Sequence, residues 1–148
     1  MSIKTKIVGV TRKNSDGTKR QDLLEMLKRH REKELVLMPE PDNPASDHAI
    51  AVYDRTGDQL GYLKDDLAEE LFDELQEIGT AYAEVLEVTG GDGKSYGCNI
   101  EIPYDDEEGL THLILPENYG KSDSATGMFM LLVIFVVIAF IAWLFLRS

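Results

Sequence analysis

The chain has 148 residues and a formal net charge of −12, which gives room for about one domain and argues against a general polyanion binder, since affinity for nucleic acid is largely phosphate neutralisation. The charge is divided, however: residues 1–38 carry ten basic and five acidic side chains, and residues 39–126 carry four basic and 22 acidic, so contact with a polyanion is confined mainly to the first third. A single cysteine, Cys98, excludes an internal disulfide and is compatible with a reducing compartment.

Ile3 to Thr11 alternates and then runs apolar through Ile7-Val8-Gly9-Val10, predicting a first strand. Asn14 to Gly17 is a turn cluster. Thr18 to Gln21 has the form of a capping box, with the Thr hydroxyl and Gln amide expected to satisfy free N–H groups at a helix start. Leu23, Met26, Leu27 and His30 then recur on one face of a helix of about three turns. Glu34 to Met38 predicts a strand, and Pro41 and Pro44 keep Glu40 and Asn43 extended.

Ala49 to Tyr53 is short and apolar, as a buried strand would be. Arg55 to Asp58 supplies a Gly-containing turn and Gln59 to Leu63 a second strand, in which Gly61 marks a bulge or a close backbone approach. Asp65 or Asp66 is expected to cap the next helix. Leu67, Leu71, Leu75 and Ile78 form its apolar stripe, Gly79 its stop, and Glu69, Glu70, Asp73, Glu74 and Glu77 a solvated face. Ala81 to Val88 and Gly97 to Pro103 predict two more strands. Between them Gly91-Asp-Gly-Lys-Ser95 is a hairpin turn rather than a phosphate-binding loop, because Val88 stands where that loop needs its first glycine.

Residues 105–127 read as an acidic linker, whose apolar island Leu113 to Leu115 is either a last strand or a transient contact. Met128 to Leu146 is apolar without interruption, and 19 residues at 1.5 Å each span roughly 28 Å. A transmembrane helix is expected there, with Trp143 at an interface. With only Arg147 and Ser148 after it and no signal peptide before the domain, the reading is a single-pass tail anchor that leaves the N-terminal domain cytoplasmic.

His30, His48 and His112 are far apart and show no metal-ligand spacing, and no nucleophile–base set can be assembled. No catalysis, cofactor, metal or small-molecule substrate is therefore expected. Cys98 in a strand reads as a packed thiol.

Asn43-Pro44, Ala49-Ile50-Ala51-Val52 and Gly61-Tyr62-Leu63 resemble the core signature of the HIRAN domain. Val8-Gly9-Val10, Asn14, Gly17-Thr18 and Arg20-Gln21 are similar to the N-terminal half of bacterial versions. Gly90-Gly91, Tyr96-Gly97 and Ile100-Glu101-Ile102 are similar to the family's last strands, so the resemblance runs from Ile3 to Tyr104. It implies an α+β fold, a small OB- or SH3-like β-barrel with two helices over residues 1–104, ahead of the linker and the span at 128–146.

The resemblance also implies binding of single-stranded DNA at its 3′ end, by stacking on exposed bases and basic contacts to phosphate. The residues expected to carry this are Arg12, Lys13 and Arg20 in the basic third, Asn43 and His48 in the Pro-punctuated loop, Tyr62 for stacking and Lys64 for phosphate. Lys28, Arg29, Arg31 and Lys33 either extend a basic track or are a solvated helix end. Ala45 and Ser46 replace the family's aromatic and Asp, and His48 its Asn, so one stacking platform is lost. The alternative is a membrane-anchored protein-interaction domain, its acidic helix meeting a basic partner.

Overall fold

The apolar runs pair into one antiparallel sheet, curled into a half-barrel, in a computed structural model that describes residues 1–117 and 119. Its strands are β1 (Ser2–Lys6), β2 (Glu34–Glu40), β3 (Ala49–Asp54), β4 (Gln59–Tyr62), β5 (Ala81–Gly91), β6 (Lys94–Asp105) and β7 (Gly109–Leu110), and its helices α1 (Arg20–His30) and α2 (Asp65–Ile78). The order is β1-β6-β5-β2-β3-β4, with β7 beside β6. Leu35, Leu37, Ile50, Val52, Leu60, Ile100 and Ile102 point to the inner face, where Leu24 of α1 and Leu75 of α2 complete the core.

The sheet's two ends meet at one residue pair. The Ile7 amide donates to the Cys98 carbonyl on β6 at 3.0 Å, and the chain then leaves β6. At Val8 it exchanges both backbone hydrogen bonds with Tyr62 on β4, at 2.8 and 3.0 Å. Gly61 permits this, because a methyl group there would overlap the Val8 carbonyl and the Ile7 side chain. The strand β3–β4 register shifts at Val52/Tyr53 beside it.

Both helix starts differ from the sequence expectation. Lys19 is the N-cap of α1 and has no side-chain cap. Gln21, expected in a capping box with Thr18, instead donates to the Val10 and Tyr96 carbonyls at 3.0 Å each and accepts from the Tyr96 amide at 2.7 Å. A side chain that ties two segments to the helix has no atoms left for the cap. Leu24 takes the buried place, while Met26 and His30 face solvent. In α2 the N-cap is Lys64, so Asp65 and Asp66 sit in the first turn, where negative charge still favours the helix dipole. Gly79 ends α2 as expected, with φ 86° and its amide donating to Leu75 at 2.7 Å.

The β5–β6 hairpin closes on Asp92 and Gly93, both at positive φ (52° and 87°), as a two-residue turn between Gly91 and Lys94 requires. Beyond β6 the chain does not leave the domain at residue 105. Leu110 is buried, the Leu110 amide donates to Glu74 at 2.6 Å, and Thr111 and His112 pair along β5. Thr80 and Leu113 then bond twice, at 3.2 and 2.6 Å. Of the apolar island, Leu113 is held and Ile114 is exposed. The linker's end and the span expected at 128–146 lie outside the described residues, among which no helix is long and apolar enough to cross a membrane.

Candidate functional site

The seam between β1 and β4 opens onto a cleft of about 500 Å³. Three segments line it: the turn after Val8 that includes Gly9 and Arg12, the loop from Asn43 to Ala49, and the β4–α2 junction from Tyr62 to Asp65. They are far apart in sequence, and the closure of the sheet at Val8 and Tyr62 is what brings them together.

Tyr62 is held from four directions. Its backbone is bonded to Val8, and the following amide, Leu63, donates to Ile50 at 3.0 Å. Its hydroxyl donates to the Glu40 carboxylate at 3.0 Å and accepts from the Asn43 side-chain amide at 3.2 Å. The Arg20 guanidinium lies 5.5 Å from the ring centroid, within cation–π range. Gly9 leaves room for this stack: its φ is 73°, and a side chain there would crowd Arg20 Nη1 at 3.2 Å.

Arg20, expected among the phosphate contacts, is only 5 % exposed. Its Nε donates to Asn14 Oδ1 at 2.7 Å and its Nη1 to the Gly9 carbonyl at 2.9 Å. Asn14 in turn donates to the Gln59 carbonyl at 2.9 Å. The guanidinium thus ties the turn after β1 to β4 and backs the tyrosine ring.

Asn43 organises its loop. Its amide donates to the Glu40 carbonyl at 3.2 Å, its Oδ1 accepts from the Ala45 amide at 2.9 Å as an Asx turn, and its carbonyl accepts from Ser46 at 3.2 Å. His48 stands outside the lining, with its amide on Ser46 Oγ at 3.3 Å and its Nδ1 3.0 Å from the Asp47 carboxylate. Lys13 is exposed, bridged by its backbone to Lys19, and also outside the lining. Arg12 and Lys64 do line the cleft, both exposed, and among the described residues neither has an ion-pair partner within 4.0 Å. Of the seven expected residues, the fold therefore gathers Arg12, Asn43, Tyr62 and Lys64 at the cleft wall and puts Arg20 behind it.

Glu40 was missed. It is the last residue of β2, paired with Ala49, and three donors converge on its carboxylate: Tyr62, the Asn43 amide at 2.9 Å and the Tyr53 hydroxyl at 3.4 Å. Tyr53 holds its own proton up to about 12, chiefly through burial and then through the Glu40 charge. Nothing local in the sequence marks Glu40, since two of its partners lie 13 and 22 residues away.

Elsewhere the chemistry is quiet. Burial pushes the Cys98 thiol up to about 12, as befits a packed side chain. A smaller groove of about 180 Å³ beside Leu23 and Met26 is lined by none of the expected residues. Among the described residues no three His, Cys, Asp or Glu side chains are grouped to hold a metal. What the main cleft offers is one aromatic face, two exposed cations, one exposed carboxylate (Asp65) and a loop amide already turned inward.

The family model of the HIRAN domain matches residues 2–105. Among solved structures the chain is similar to the HIRAN domain of human HLTF, at 21% identity over 68% of this chain and 71% of that one, with a TM-score of 0.44. No curated protein matches it.

Proposed function

The chain belongs to the HIRAN domain family, and from that premise we propose that it is a non-catalytic nucleic-acid-binding module whose cleft takes the 3′ end of single-stranded DNA. The observation that carries this reading is the meeting, in one cleft, of the Tyr62 ring with the exposed cations of Arg12 and Lys64. A base stacks on the ring, its phosphates meet the two cations, and Asn43 borders the chain end. Base stacking contributes about 1–3 kcal/mol per base, so Ala45 at the cleft wall, in place of a second aromatic, is consistent with weak, micromolar binding. The uninterrupted apolar run at 128–146 supports a bilayer anchor.

The test is binding of the full chain to a fluorescent oligonucleotide with a free 3′ hydroxyl, against the same strand blocked at that end, over a salt series. Tyr62→Ala is expected to weaken binding about tenfold or more. Arg12→Ala and Lys64→Ala should each flatten the salt dependence, because each removes a phosphate contact. No binding at low salt would sink the reading. Attention would then pass to the exposed face of α2, where Glu69, Glu70, Asp73 and Glu77 make no ion pair among the described residues and would suit a basic protein partner.

A further inference from the structure

We propose that Glu40 is a positioning residue for this cleft, which holds the Tyr62 ring and the Asn43 loop in their binding geometry without touching the ligand. The inference rests on the nucleic-acid reading and goes beyond it, because charge alone predicts the opposite effect for this residue.

Glu40 is well placed to act as a fixed point. Its backbone is the last rung between β2 and β3, and it stands where the loop leaves the sheet. Its carboxylate receives donors from three separate pieces of chain, β3 through Tyr53, β4 through Tyr62 and the loop through Asn43. The Asn43 amide bonds both the carboxylate and the Tyr62 hydroxyl, so loop and ring are locked to each other as well as to β2. With Arg20 against the ring, few motions remain open to Tyr62. A side chain held before the ligand arrives loses little rotamer freedom on binding, and the cost of ordering one otherwise mobile side chain is comparable to a several-fold change in affinity.

A carboxylate near a polyanion site repels the ligand. If Glu40 acted only through its charge, neutralising it would strengthen binding. Positioning predicts the reverse. Glu40→Gln keeps the size but removes the charge and replaces one acceptor oxygen by an NH₂ group, which keeps a contact only where a tyrosine hydroxyl turns round to accept from it. Glu40→Asp keeps the charge but withdraws it by one methylene from all three.

The experiment uses the full chain, with oligonucleotide affinity as one readout and the aromatic NMR signals of Tyr62 as the other. Both variants are expected to weaken binding about three- to tenfold, and both should shift and broaden the Tyr62 ring signals as its hydroxyl loses its fixed acceptor. Combined with Tyr62→Phe, Glu40→Gln should cost much less than on its own, because part of its effect passes through the lost hydroxyl. Tighter binding by Glu40→Gln with unchanged binding by Glu40→Asp would overturn the proposal in favour of simple repulsion. Unchanged Tyr62 signals in folded variants would overturn it as well. Should the native chain bind no oligonucleotide, the nucleic-acid reading falls, and the ring signals alone still decide whether Glu40 positions Tyr62.

Discussion

Gly61 and Tyr53 sit on neighbouring strands and show two ways in which one residue governs the seam. A methyl group at Gly61 has no space, because backbone from Val8 already occupies it. Gly61→Ala is expected to destabilise the domain by about 1–3 kcal/mol, read as a lower urea midpoint together with faster exchange of the Val8 and Tyr62 amides. Tyr53 acts through its proton. The hydroxyl titrates at about 12 in the folded chain against an ordinary 10.0, so the folded state binds that proton more tightly than the unfolded one. The associated stability is complete below pH 10 and is lost as pH rises through about 12. Tyr53→Phe should therefore flatten the alkaline fall of the melting temperature in that window. It should not abolish the fall, since Tyr82, mainly through burial, is also pushed to about 12. Of these residues, Gly61 was legible in the sequence, because a glycine inside a strand commonly marks a bulge or a close approach of another backbone. Glu40 was not, because a carboxylate that collects long-range donors looks like any other strand-end glutamate until the strands are paired.

At the scale of elements, the strands were legible and the helix ends were not. Short apolar runs placed β2, β3 and β5 to within a few residues, whereas the alternating strand expected from Ile3 to Thr11 stops at Lys6, and Asp92-Gly93 announced its hairpin. Capping is harder to read, because Ser, Thr, Gln and Asp side chains choose between a local partner and a distant one. Gln21 took the distant one, binding both sides of the Tyr96 backbone. That leaves α1 with an uncapped start at Lys19, whose extended backbone (φ −79°, ψ 123°) suits a capping side chain. Lys19→Asp is expected to stabilise the domain by about 0.5–2 kcal/mol, measured by chemical denaturation, and to leave oligonucleotide affinity nearly unchanged because Lys19 is outside the cleft wall. The candidate site was half legible for the same reason. Arg12, Asn43, Tyr62 and Lys64 carry their chemistry at the cleft wall, whereas Arg20 turns its donors into the fold.

For the molecule as a whole, the domain's working boundary is set by β7. A fragment that stops at residue 104 lacks Leu110, which is 5 % exposed, and the Thr80–Leu113 bonds. Burying one leucine is worth about 1.5–3 kcal/mol, so residues 1–104 should unfold at a distinctly lower urea concentration than residues 1–117. Equal midpoints would mean that β7 is merely laid on the surface. The closing pair at Val8 and Tyr62 has a different consequence. A sheet stitched shut at a single pair has one weakest stitch, and here that stitch is also part of the cleft wall. Whatever occupies the cleft grips both flaps, the turn after β1 on one side and β4 with its loop on the other. Opening the stitch would then mean letting go of the occupant, so a filled cleft makes a half-barrel behave mechanically as a whole one.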